Sequence, residues 1–158
     1  MSMENKILVI GTGPDWPTQK DQFQRDGSIA IGIDILPAFQ PDIVRDIRRG
    51  LPFNEGEFDY IQLYHVAEHI QSNEDYDFLW NEMFRVLKSG GIVDVEVPYA
   101  RDDIAFEAAG HVRFFVENSF LNFYDNPFWQ EMGMPRVEKV SLETAESGRS
   151  GVNPARVV

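Results

Sequence analysis

The sequence predicts an α/β fold, a doubly wound and mostly parallel sheet. Three observations predict it. Short apolar runs at 6–10, 29–33, 59–64 and 92–97 end at a glycine, an aspartate, a histidine and a proline respectively. Such runs, bounded by turn residues, read as strands buried on both faces. A strongly amphipathic stretch at 72–89 and a weaker one at 18–25 separate them. Strands that alternate with helices build a parallel sheet whose ligand crevice opens at the carboxyl ends of its strands. An antiparallel strand is expected near the C terminus, over 136–143, where Val137, Val140 and Leu142 alternate with polar residues.

Composition narrows the function classes. The 158 residues suit one domain with a sizeable core. Residues 1–146 are read as that domain and 147–158 as a flexible tail or a loop before a short strand at Val157 and Val158. The formal charge of -12 argues against an extended nucleic-acid surface, which needs a basic face. With no cysteine there is no disulfide framework and no thiolate zinc site. No apolar run approaches a membrane span, and residues 1–10 lack the features of a signal peptide. The expectation is a cytoplasmic protein with no membrane partner; its oligomeric state is not readable.

Taken in order, the first strand ends in Gly11-Thr12-Gly13. Glycines there let the backbone turn sharply and approach a ligand. A dinucleotide fingerprint wants a third glycine at position 16, and Trp16 stands there, followed by Pro17. That counts against a nicotinamide or flavin cofactor. With two prolines, 14–27 predicts a short or irregular helix over 18–25, ended by Gly27. Asp34 closes the second strand, about 20 residues after Gly13, the spacing at which a carboxylate reaches a ribose.

A short third strand is expected over 41–44, with Asp46 just past it. Arg45, Arg48 and Arg49 form either a solvated turn or an anchor for an acidic group. The fourth strand, at 59–64, should be central. His65-x-x-Glu68-His69 follows and matches the H-x-x-E-H string of inverted zinc peptidases. That motif belongs inside a long helix, whereas here it starts at a strand end, so no metal is assigned. The helix at 72–89 carries Tyr76, Leu79, Trp80, Met83 and Leu87 on one stripe, which is core. Ser72 with Asp75 starts it, and Lys88 and Gly90 are expected to end it. Residues 101–110 form an acidic loop or lid. A further helix is expected over 117–124, and most aromatics from Phe114 to Trp129 should be core.

The stretch 41–70 holds an aspartate, Leu51-Pro52-Phe53, Phe58-Asp59, a buried strand, then His65 and Glu68-His69. Arg85-Val86-Leu87-Lys88-Ser89-Gly90-Gly91 and His111-Val112-Arg113-Phe114-Phe115 follow it. Together these resemble the class I S-adenosylmethionine-dependent methyltransferases, in a compact branch with a Rossmann-like sheet. The resemblance is specific over 6–98 and thinner beyond. It implies S-adenosylmethionine as cofactor, held by Gly11, Thr12, Gly13, Asp34, Ile35, Asp46, Ile47 and His65. Asp34 would accept the ribose hydroxyls, Asp46 the adenine amino group, and the Ile47 amide would meet a ring nitrogen. It implies methyl transfer to an oxygen or nitrogen of a small-molecule or sugar-like acceptor. His111 before His65 would be the catalytic base, with Tyr99 orienting the acceptor.

Two departures stand beside the match. Val9 occupies a position that is often acidic or an amide in the family. Asp15 puts a negative charge where the methionine moiety would lie. They keep open a degenerate binding or assembly module without catalysis. A zinc hydrolase built on the H-x-x-E-H string is the remaining alternative.

Overall fold

The computed structural model describes residues 5–25, 27–116, 118–121, 127–131, 143–144 and 151–153. Strands β1 (Lys6–Ile10), β2 (Ile29–Asp34), β3 (Ile43–Val44), β4 (Phe58–Tyr64) and β5 (Leu87–Pro98) pair in the order β3-β2-β1-β4-β5, all parallel. This is the expected doubly wound sheet. Its order reverses at β1, so the connections that leave the carboxyl ends of β1 and β4 diverge and open a crevice.

Helix α1 (Trp16–Arg25) covers one face and α2 (Asn73–Val86) the other. Leu79, Trp80, Met83 and Val86 of α2 are buried against Leu8, Ile10, Ile61, Leu63, Val93 and Val95. Truncating such a buried Leu or Met to Ala costs about 2–5 kcal/mol, so this stripe holds the fold together. Ser72 caps α2, accepting from the Asp75 amide at 3.0 Å as its spacing predicts.

Two boundaries differ from expectation for packing reasons. Helix α1 starts at Trp16, two residues early. Pro17 sits in its first turn, where the missing N–H needs no partner. Trp16 is 1% exposed and packs on Gly32, where an added Cβ would lie 2.4 Å from the indole ring. Its Nε1 donates to Asp42 at 3.2 Å, and Asp42 also accepts from the Gly32 amide at 2.9 Å. The place where a third glycine was sought is therefore a core anchor. Val9 joins the same small cluster. Helix α2 ends at Val86 instead of 89, because the turn after Phe53 takes its last carbonyls. Gly56 donates to Arg85 O at 2.9 Å and Glu57 to Val86 O at 2.8 Å. Lys88 then lies on β5 and pairs with Asp59 at 2.7 Å instead of capping the helix.

The Leu-Pro-Phe kink has a clear support. Glu82 accepts from the Leu51 amide at 2.7 Å, and Arg85 donates to the Leu51 and Phe53 carbonyls at 3.0 and 2.8 Å. Residues 101–110 hold a one-turn helix, α3 (Ile104–Glu107). Beyond it come α4 (Asn118–Leu121) and α5 (Pro127–Glu131). Phe115 and Phe120 stack in the core, whereas Phe114 and Phe128 are exposed. Short β6 (Glu143–Thr144) and β7 (Gly151–Asn153) pair antiparallel with each other, and β7 with β5. Most of 136–143, along with Val157, Val158, Phe123 and Tyr124, lies outside the described residues. Among the described residues no helix is long and apolar enough to cross a membrane.

Candidate functional site

The crevice begins at the glycine turn. Gly11 has φ +81°, and its amide donates to Ile33 O at 2.9 Å. A Cβ there would sit 2.4 Å from both Tyr64 O and Val66 Cγ2. Only glycine lets the ends of β1 and β4 meet this closely. Gly13 differs: its φ is +63° and nothing lies within 4 Å of an added Cβ. Its backbone faces open space. Asp34, at the end of β2, is fixed by three donors: the Gly13 amide at 3.2 Å, the Thr12 hydroxyl at 3.4 Å and the Leu36 amide at 2.9 Å. The carboxylate thus ties the glycine turn to the second strand.

Past β3, Asp46 caps a 3-10 turn over Ile47–Arg49 and accepts from the Arg48 amide at 3.0 Å. The Arg48 guanidinium forks onto the same carboxylate, with a closest approach of 2.7 Å. These hydrogen bonds hold Asp46 below the usual carboxylate range. Arg45 is turned onto the Gly50 and Arg49 carbonyls at 2.6 and 2.8 Å. The basic cluster therefore folds mostly onto its own turn.

At the end of β4, His65 adopts φ +48°, and its amide donates to Glu96 O at 2.9 Å. Its ring lies between two carboxylates, with Nδ1 3.2 Å from Glu68 and Nε2 3.3 Å from Glu96. Hydrogen bonds to Glu68 and then Glu96 push its pKa up to about 9 against the opposing effect of burial. At neutral pH the ring is an imidazolium, a donor and not a proton acceptor. Glu96 is held below its ordinary value by the same contact. Tyr64 is raised by burial and by its hydrogen bond to Glu96.

These three elements enclose a cavity of about 780 Å³, the size of a cofactor site. All the residues expected to hold a cofactor, from Gly11 to His65, line it. Residues 8–94, more than half of the chain, match the family model described as a methyltransferase domain. The chain belongs to this methyltransferase family. No curated protein sequence matches it. Among solved structures, it resembles the 1,6-didemethyltoxoflavin-N1-methyltransferase of Burkholderia thailandensis, with TM-score 0.67 at 14% identity over 98% of this chain and 72% of that one. A SAM-dependent methyltransferase from Archaeoglobus fulgidus gives TM-score 0.65 at 18% identity, over 91% of this chain and 67% of that one. A protein from Pyrococcus horikoshii OT3 gives 0.65 at 15% identity, over 99% and 83%.

Two expected site residues of this methyltransferase, Tyr99 and His111, are not among the residues that line the cavity. Tyr99 packs against the core, bridges to Phe115 in parallel and carries Arg101 over its ring at 5.9 Å. His111 Nδ1 lies 3.0 Å from Ala105 O. His69, Leu36 and Phe39, to which the sequence reading gave no site role, are on the wall. The signal for the last two was the apolar Ile35-Leu36-Pro37-Ala38-Phe39 run, too exposed at Ile35 and Leu36 (56% and 47%) to be core. The H-x-x-E-H string spans a strand end and a 3-10 turn over Ala67–His69, so His65 and His69 do not share an α-helical face.

Proposed function

We propose that this chain transfers a methyl group from S-adenosylmethionine to an oxygen or nitrogen of a small-molecule or sugar-like acceptor in the cytoplasm. The cavity at the carboxyl ends of β1, β2 and β4 carries the reading, because the glycine turn, Asp34 and Asp46 meet on its wall. The residues fit that cofactor. Gly13 offers bare backbone, Asp34 an oriented carboxylate for ribose hydroxyls, and Ile35 and Leu36 exposed apolar surface for a purine face. Asp46 and the Ile47 amide would read the purine edge.

The cofactor supplies a methyl group on a positively charged sulfonium, an electrophile that needs no further activation. The protein's work is then alignment and exclusion of water, which can lower a barrier by several kcal/mol. Glu68 and Glu96 set two acidic side chains around His65 at the end of β4, an arrangement that suits a neighbouring sulfonium. With both ring nitrogens on carboxylates, His65 would position Glu68 and Glu96 and not donate to the ligand itself. An acceptor proton would leave to another group or to water.

A second reading, a module that keeps the fold without catalysis, draws on Val9 and Trp16, whose side chains serve packing on the α1 face. Calorimetric titration with S-adenosylhomocysteine separates the two. One site per chain in the micromolar range supports the methyltransferase. No binding at millimolar ligand would overturn it and favour the module.

A further inference from the structure

We propose that Glu68, His69 and His111 form a binding site for a divalent transition-metal ion. One ligand-capable atom from each lies within 4.8 Å of the other two. The tautomers are set by chemistry. His69 Nδ1 lies 3.1 Å from Gly110 O, and His111 Nδ1 lies 3.0 Å from Ala105 O. A carbonyl only accepts, so each Nδ1 carries the proton and each Nε2 keeps its lone pair. A ring anchored by one nitrogen to a backbone carbonyl is how proteins orient a metal-binding histidine.

Glu68 supplies the independent observation. Its side chain is 1% exposed. One carboxylate oxygen, Oε1, meets His65, while Oε2 is buried without a hydrogen-bond partner among the described residues. Leaving such an oxygen unsatisfied is unfavourable, and a bound cation removes that penalty. His65 then orients the carboxylate from behind.

The scaffold that joins these residues is built. Glu68 O accepts from the Val112 and Arg113 amides at 2.8 and 3.2 Å. Arg113 crosses to the Ile70 and Ser72 carbonyls at 2.6 and 2.8 Å and lies 4.4 Å over the Tyr76 ring. Two segments distant in sequence are thereby locked side by side, with the His69 and His111 rings edge to face at 4.9 Å. Zinc bonds near 2.0–2.1 Å place tetrahedral ligand atoms roughly 3.3 Å apart, so donors that lie within 4.8 Å of one another close by at most about 1.5 Å. Both rings end on partly exposed segments that can allow it.

Two imidazoles and one carboxylate select zinc, cobalt, manganese or iron over calcium and magnesium, which prefer all-oxygen sites. Three protein ligands leave a position open. On the methyl-transfer reading, on which this clause alone rests, that position takes the acceptor's oxygen or nitrogen, since His69 also lines the cavity. The ligand set differs from the H-x-x-E-H string, which would use His65 and leave out His111.

The test is titration of the chelator-treated chain with Zn²⁺ and Co²⁺, without cofactor, by calorimetry and visible absorption. One ion per chain in the micromolar range or tighter is expected, with the d–d bands of a four-coordinate cobalt site. His69→Ala and His111→Ala should each weaken binding by roughly tenfold or more, with melting in chelator showing that the variants fold. Should either fail to fold, stoichiometry and the zinc-induced rise in melting temperature of the unaltered chain decide. Absence of stoichiometric binding by the unaltered chain overturns the proposal. So does binding that survives His111→Ala unchanged. Titration with S-adenosylhomocysteine in chelator reports the cofactor cavity separately, so either reading can fail without the other.

Discussion

The two sides of the crevice are built differently. The β1–β2–β3 side is held by backbone donors onto carboxylates: the Gly13 and Leu36 amides onto Asp34, and the Arg48 amide onto the Asp46 cap. The β4–β5 side is held by contacts brought from far along the chain, most of them through side chains: His65 to Glu96, Arg113 to residues 70–73, and the Glu68 carbonyl to the amides of residues 112–113. On the proposed reading, the first side would offer backbone and carboxylate to the cofactor. The second concentrates ionisable groups where an acceptor's particular chemistry would be met. A fold of this kind can keep one side and vary the other.

The two sides touch at Gly11, and the largest effect should come from breaking that contact. Gly11→Ala adds a Cβ 2.4 Å from Tyr64 O at a positive φ, and should cost about 3 kcal/mol or more. Gly13→Ala meets no atom within 4 Å and should cost only about 1 kcal/mol. Denaturant midpoints measure both; equal losses would mean that strain alone, not the approach of the two strand ends, governs Gly11.

Each side can then be weakened separately. Asp34→Ala should keep the fold and lower S-adenosylhomocysteine affinity roughly ten- to hundredfold, about 1.5–3 kcal/mol, through lost ribose contacts. Unchanged affinity by calorimetry would move the ribose elsewhere. Arg113→Ala removes the clamp on residues 70–73 and should cost about 2 kcal/mol of stability. Its signature is selective: hydrogen exchange should quicken in 66–73 and 111–116 while the glycine turn keeps its protection. Uniform loosening would show that the two sides are one cooperative unit.

The smallest effect concerns the turn that links them. Glu82, bonded to Arg85 and to the Leu51 amide, is held below its ordinary value of 4.5, chiefly by Arg85. A depressed folded pKa contributes stability that is fully present above about 4.5 and is lost as pH falls through the lower folded value. Glu82→Gln should cost about 1 kcal/mol at neutral pH, and less in acid, where the unaltered chain has already lost this term. Melting curves taken from pH 7 down to pH 3 should therefore converge for the two chains; parallel curves would remove Glu82 from the acid response.

What was legible in the sequence follows from the range of the forces involved. Strand boundaries, the Ser72 cap, the glycine turn and the cofactor-wall residues depend on neighbours a few positions away or on a pattern of buried runs. Single residues announce such features. Helix α1 starts earlier than its local pattern predicts because Trp16 is fixed by Gly32 and Asp42, and α2 ends earlier because the 56–57 turn takes its last carbonyls. Neither partner is near in sequence, and nothing local marks it.

The site divides along the same line. Sequence alone determined that a crevice forms at the carboxyl ends of β1 and β4, with bare glycine backbone and Asp34 beside it, because chain direction and a strand period force those residues to one edge. Only the tertiary structure decided that His65 is an imidazolium between two carboxylates, that His69 lines the cavity, and that Tyr99 and His111 are not among its lining residues. A pKa depends on burial and on charges within a few ångströms, and those neighbours are chosen by folding, not by adjacency along the chain.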